Sequence, residues 1–284
     1  MTVTTQPPPS LHPTAIVDPL AQIGPGCVIG PWCLIGPDVV LHEGVKLHSH
    51  VVLDGQTTLA SGVEVYPFVT IGMAPQDLKY RNEPTRCEIG ERTVIREHVT
   101  IHRGTAQGHG LTRVGAHCLI MCNAHVAHDC EIGDGVIIVN NVVMGGHVEI
   151  GDGARIMGAA ALHQFVRIGR GALVGGVCGV EADVIPYGSV LGNRARLVGL
   201  HWIWLKRQGV PAEEIQAMRR AFRHLYPRCS DGRYVLEDRL AEVRRDFADH
   251  PRVMEIVAFM EAPSRRGLVR GAHLSSGAVE TEGA

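Results

Sequence analysis

The chain has 284 residues, 45% of them hydrophobic, with 27 basic against 29 acidic side chains and a formal charge of -2. The length excludes a small disulfide-stapled module, and the charge balance excludes the strongly basic surface of a general nucleic-acid binder. The sequence contains no run of 18 apolar residues and no basic-then-apolar leader, which predicts a soluble, cytoplasmic protein without a membrane span.

Residues 1–10 carry no pattern and are read as a disordered N-terminus. From Leu11 an aliphatic side chain recurs at every sixth position, through Val17, Ile23, Ile29, Ile35, Leu41, Leu47, Leu53, Leu59, Val65 and Ile71. The phase resumes at Ile89, Ile95 and Ile101, slips by one residue, and runs on from Val114 to Val180. The position two before each aliphatic holds only Ala, Val, Thr or Cys once past Pro9. Glycine often follows the aliphatic, as at Gly24, Gly30, Gly133 and Gly151, where a corner needs permissive backbone. A period of six matches neither an amphipathic helix nor a simple alternating strand; it fits short strands joined by tight corners.

These columns resemble those of the hexapeptide-repeat acyltransferases. The resemblance implies a mainly β fold, a left-handed parallel β-helix with three hexads per coil, here over residues 11–190. Coils at strand spacing, about 4.8 Å, would place residues 18 apart one above another. Cys27, Cys33, Cys87, Cys118, Cys130 and Cys178 all fall in the small-residue column. They are therefore read as inward spacers rather than as zinc ligands beside His125 and His128, or as disulfides.

Two stretches, 73–86 and 103–113, interrupt the rhythm. Loops projecting from a rigid scaffold commonly carry binding residues. Beyond them the hexads at Val126, Met144 and Leu162 are 18 residues apart, with His125, His128, His147, His163 and Gln164 beside them. Stacked histidines within about 10 Å of axial distance point to proton transfer near neutral pH. Asp129 directly follows His128; because neighbours on a strand face opposite ways, it is not expected to orient that imidazole.

The hexads end at Ile185, and residues 191–270 are read as a helical domain. Pro211 opens one helix with Glu213 and Glu214 in its first turn, and helical spacing recurs over Tyr234–Phe247 and Pro251–Met260. Lys206, Arg207, Arg219, Arg220, Arg223 and Arg228 form a modest basic patch suited to an acidic partner, with a solvated helix face as the alternative. Residues 271–284 are read as a disordered tail.

More specific motifs lie on this frame: Gln76-Asp77-Leu78-Lys79-Tyr80, Glu83-Pro84-Thr85-Arg86, Asn123-Ala124-His125-Val126-Ala127-His128-Asp129, Gly146-His147 and His163-Gln164-Phe165. They resemble the UDP-N-acetylglucosamine O-acyltransferases of lipid A synthesis, from about residue 11 to 270. The resemblance implies transfer of a 3-hydroxyacyl chain from acyl carrier protein to the sugar 3-hydroxyl, in a homotrimer with sites between subunits and with neither metal nor other cofactor. It gives His128 the role of general base and the Gly146 N–H that of oxyanion donor. Gln76, Asp77, Lys79, His102, His125, His147, His163 and Gln164 would hold the sugar, and Lys206 and Arg207 the diphosphate.

The position of Gly176 would stop a hydrocarbon ruler, with Leu173 beside it. The 48 residues from His128 to Gly176 make about 2.7 coils, or about 13 Å and roughly ten extended carbons, and an open glycine there predicts longer chains. His201, Trp204 and Gln208 depart from the family's pattern beside Lys206 and Arg207. Competing readings are a 3-amino UDP-sugar acceptor, the pathway's later N-acyltransferase (which carries an extra N-terminal domain), a zinc carbonic anhydrase of the gamma type, and a non-catalytic scaffold.

Overall fold

The computed structural model describes residues 7–227 and 235–272. Nearly every hexad contributes a strand of two residues, and successive strands fall in turn on three parallel sheets. The first face runs from Ser10–Leu11 through Val28–Ile29, the second from Ile16–Val17 through Leu34–Ile35, and the third from Gln22–Ile23 through Val40–Leu41. Three faces give a left-handed β-helix of triangular section. Val28 pairs with Lys46 and Glu131 with Glu149, so the register is 18 residues per coil.

The two sequence columns explain the interior. The aliphatics Ile29, Leu41, Leu53, Ile101, Ile120 and Ile138 are at most 2% exposed, and so are the small spacers Cys27, Val45, Val99 and Ala154. Each aliphatic buried in this way contributes roughly 1.5–3 kcal/mol. The thiols of Cys27, Cys33, Cys118 and Cys130 donate to carbonyls of the next coil, as from Cys27 to the His42 carbonyl and from Cys130 to the Gly145 carbonyl. All the described cysteines are free; Cys229 lies outside the described residues.

Three residues separate the end of a strand from the next small spacer, and the last of the three is usually left-handed. Between the first and second faces it is Trp32, His50, Phe68 and His98; between the third and first it is most often glycine, including Gly153 and Gly171. Both insertions leave from the remaining corner, between the second and third faces. Strand pairing takes in Met73, Arg86 and 111–113, so these loops are shorter than the interruptions in the hexad pattern. The one-residue slip is absorbed in the second loop, where Thr100 pairs with His125.

The ends of the prism differ from the sequence reading in detail. Pro7 accepts the Gly26 N–H and Ser10 pairs with Val28, so residues 7–10 are ordered by the second coil. Residues 1–6 and 273–284 lie outside the described residues, as do Arg228 and Tyr234. At the C-terminal end, Gly188–Leu191 and Arg196–Leu200 form an antiparallel hairpin, so part of the segment read as helical is sheet.

Among the described residues four helices follow: α1 (Trp202–Arg207), α2 (Ala212–Leu225), α3 (Leu236–Asp246) and α4 (Pro251–Glu261). Ile215, Met218, Ala221 and Leu225 of α2 pack against Leu240, Val243, Val253 and Ile256 in one apolar cluster. Glu214 is 8% exposed and accepts from His250 and from the Arg252 N–H, tying α2 to the start of α4. The chain then returns as a strap along the prism, bridging Asp183 to Leu268 and Leu197 to Gly271. Among the described residues no helix is long and apolar enough to cross a membrane.

Candidate active site

His128 and Asp129 occupy the corner just above the two insertions. They are not on a strand, which ends at Val126, and Asp129 adopts φ +58°. Strand alternation therefore does not apply to this pair. The left-handed backbone brings the two side chains together, and His128 Nδ1 lies 2.8 Å from Asp129 Oδ2. Asp129 orients the imidazole, against the expectation from alternation.

The carboxylate is fully buried and its lone pairs are used. It accepts from the Thr105 N–H and, at 2.6 Å, from the Thr105 hydroxyl. Thr112 Oγ1 accepts the Asp129 N–H at 2.8 Å. Thr105 belongs to the second loop and Thr112 to the strand that follows it, so this loop and its exit strand fasten the corner. Burial would raise the Asp129 pKa, but hydrogen bonds from His128 and Thr105 outweigh it and bring the value down to about 2.

One coil further, Gly146 and His147 repeat the corner. A Cβ on Gly146 would lie 2.5 Å from His128 Cε1 and 2.7 Å from Nε2, so the imidazole rests directly on glycine backbone. Among the described residues the Gly146 N–H donates to no protein acceptor. His147 has its Nε2 3.8 Å from Asp129 Oδ2 and its ring stacked on Phe165 at 4.6 Å. Burial lowers the His147 pKa, with Asp129 opposing.

On the second face, His125 Nδ1 is 2.7 Å from Thr100 Oγ1, and His102 meets the His125 ring edge-on at 4.8 Å. His102 is 6% exposed and its Nδ1 has no partner among the described residues. Its pKa drops to about 4, through burial first and then the neighbouring His125 and His128. Burial also lowers the His125 pKa, helped by His128.

A cleft of ≈ 690 Å³ opens beside these histidines, between both loops and the C-terminal strap; Asp77, Lys79, Thr105, His147, Phe165 and Arg265 lie on its walls. The structure thus brings His102, His125, His128, Gly146 and His147 together, with Asp77 and Lys79 across the cleft. Gln76 is exposed and is not on the cleft wall. His163 and Gln164 are exposed on the next coil of the same edge.

Lys206 and Arg207 stand elsewhere, on α1. Trp204 lies on Gly153 and Gly171 at the corner between the third and first faces, and His201 Nδ1 is 3.0 Å from the Gly171 carbonyl. The residues that depart from the family's pattern there dock the helix, while the Gln208 N–H closes it on the Trp204 carbonyl. Leu173 is on the first face and Gly176 at the corner with the second, exposed, where a Cβ would be 3.4 Å from the Gly158 carbonyl. The basic patch is partly engaged in ring contacts, Arg219 over Trp202 and Arg220 over Phe247.

Imidazole and carboxylate donors of His128, Asp129 and His147 lie within 4.8 Å of one another. The bonds from Thr105 and His128 use this carboxylate to hold an imidazole in one tautomer, the arrangement of a general base. Sequence reading missed Thr105, Thr112, His109, Phe165 and Arg265. A signal existed for one of them: Asp129, His147 and Phe165 are successive at 18 residues.

Residues 183–269 match the family model described as UDP N-acetylglucosamine O-acyltransferase, domain 2, and residues 111–146 the bacterial transferase hexapeptide model. An acyl-[acyl-carrier-protein]–UDP-N-acetylglucosamine O-acyltransferase of Anaeromyxobacter sp. is 46% identical over 261 residues, covering 92% of this chain and all of the relative. The solved UDP-N-acetylglucosamine O-acyltransferase of Moraxella catarrhalis superimposes with a TM-score of 0.87 at 38% identity, over 92% of this chain and 99% of its own. The Francisella novicida UDP-N-acetylglucosamine acyltransferase has the same TM-score at 32% identity, over 92% and 94%. With a buried carboxylate, an oriented histidine and an open glycine N–H at the matching corner, this chain belongs to the UDP-N-acetylglucosamine O-acyltransferase family.

Proposed function

We propose that the chain transfers a (R)-3-hydroxyacyl group from acyl carrier protein to the 3-hydroxyl of UDP-N-acetylglucosamine, the opening step of lipid A synthesis. The observation that carries this reading is the His128–Asp129 pair seated on Gly146. Asp129 holds Nδ1, leaving Nε2 to take the proton of the sugar 3-hydroxyl as its oxygen attacks the thioester carbonyl. The Gly146 N–H meets the oxyanion of the tetrahedral intermediate. Collapse breaks the carbon–sulfur bond, and the imidazolium returns its proton to the departing thiolate.

In this reading Asp77, Lys79, His102, His125 and His147 surround the sugar, with Gln76, His163 and Gln164 at its rim. Lys206 and Arg207, on another corner of the prism, would reach the diphosphate from a second copy of the chain. That requires a closed ring, and a homotrimer brings the two corners together. The acyl chain would run between subunits towards Gly176.

The test is incubation of the purified chain with 3-hydroxyacyl carrier protein and UDP-N-acetylglucosamine, following the product by mass. Transfer to the 3-oxygen is expected; no transfer, or preferred transfer to a 3-amino UDP-sugar in competition, overturns the reading. Light scattering should give three times the chain mass, and a stable monomer at micromolar concentration would remove the shared site.

A further inference from the structure

The cleft beside the histidines carries a cation for which the acyl-transfer steps have no use. Arg167 and Arg265 both line it, together with Lys79 and the carboxylates of Asp77 and Glu149. Arg167 is neutralised, since its Nε lies 2.7 Å from Oδ2 of the fully buried Asp183. Arg265 is exposed and forms no ion pair with a described carboxylate. Its guanidinium carbon sits 4.5 Å over the Phe165 ring, which itself stacks on His147.

The backbone holds Arg265 at this place. Ser264 Oγ accepts the N–H groups of both Arg266 and Gly267, at 3.0 and 2.8 Å, and Gly267 turns with φ +66°. The Gly267 carbonyl then accepts the Asp183 N–H at 2.8 Å, and Arg266 Nε reaches the Glu181 carbonyl. Arg265 is therefore the tip of a turn pinned on both sides. With one face on an aromatic ring, a guanidinium keeps its in-plane N–H donors for a forked acceptor, the geometry of a phosphate.

The geometry points to Arg265 as a phosphate-binding residue of the catalytic edge, taking a phosphate ester of an anionic substrate with Lys79 across the cleft. This rests on the function proposed above, which supplies two such ligands: the sugar nucleotide diphosphate and the 4′-phosphopantetheine arm of the carrier protein. Lys206 and Arg207 are at another corner, so the cations that this same chain offers unneutralised to a phosphate beside His147 are Lys79 and Arg265.

Calorimetric titration of the full chain with UDP-N-acetylglucosamine, with 4′-phosphopantetheine and with pantetheine lacking the phosphate tests this without needing turnover. In Arg265→Gln the Kd of one phosphate ligand should rise about tenfold or more, the size of a charged hydrogen bond. Arg265→Lys should recover part of that affinity. The ligand affected identifies the source of the phosphate, and binding of dephosphorylated pantetheine should be unaltered. Kd values within twofold for both phosphate ligands, failure of both to bind the unmodified chain, or equal weakening of dephosphorylated pantetheine overturns the assignment. Weakened phosphate binding in a chain that transfers no acyl group would instead leave Arg265 in its role and remove the proposed reaction.

Discussion

At the corner between the third and first faces, the left-handed position carries Arg92, His117 and Tyr187 but is mostly glycine: Gly26, Gly44, Gly62, Gly135, Gly153 and Gly171. With no side chains in the way, Trp204 lies on the last two, where a Cβ would come within 2.8 Å of its ring. At the corner between the second and third faces, the same backbone position carries Asp129, His147 and Phe165. Both loops leave from that corner; Thr105 binds the Asp129 carboxylate there, and Thr112 Oγ1 accepts the Asp129 N–H. One backbone device thus gives a docking ledge where side chains are missing and a histidine cluster where they converge on a buried charge.

The largest expected effect comes from emptying the second corner. His128→Ala should lower kcat about 10²–10⁴-fold while the melting temperature stays within a few degrees, because the coil's core columns are untouched. A variant with more than half the original turnover would place the base elsewhere.

Asp129→Asn sharpens the same point. Asp129 stays ionised down to about pH 2, so its charge is constant over the working range. Replacing the anion with an amide breaks the tautomer lock, so kcat should fall on the order of 10²-fold or more. Turnover within twofold of the original would mean that Asp129 is only a structural anchor.

Gly176 brings in the third corner, between the first and second faces. A Cβ there meets only the Gly158 carbonyl, at 3.4 Å, and the position is exposed, so Gly176→Met should fold normally. Filling the groove costs long donors about 1–3 kcal/mol, roughly 5–150-fold in relative kcat/KM. Assays with ten-, twelve- and fourteen-carbon donors read this out. An unchanged chain-length profile would put the ruler at another position.

The last effect is on stability and leaves turnover aside. His102 is buried with its pKa down to about 4, against about 6.5 in an unfolded chain. The unfolded state then binds more protons between these values, so stability is complete above about pH 6.5 and falls as the pH drops towards 4, by roughly 3 kcal/mol at most. His102→Phe should flatten that part of a melting-temperature profile. An equal slope in both proteins would show that His102 titrates normally.

The prism was legible because its interior repeats one rule, an aliphatic and a small residue at fixed spacing, and Ile29 or Cys130 obeys it whatever lies outside. The histidines could be read as a column for the same reason. Asp129 could not, because its direction depends on a left-handed corner, and strand alternation pointed it the wrong way. Thr105 and Arg265 were hidden differently: each comes from a segment outside the hexads and reaches the site only through tertiary contacts.

Almost every contact between coils joins residues about 18 apart, so the prism behaves as a one-dimensional stack in which each layer leans on its neighbours. Its two ends are unequal. The antiparallel hairpin and the strap close the last coil, whereas among the described residues the first coil pairs on one side only, with Leu11, Ile16 and Leu20 49–73% exposed. Loosening of a single chain therefore has a direction, starting from the N-terminal layer and travelling towards the histidines, and amide exchange should reach Val17 and Ile23 well before Val126.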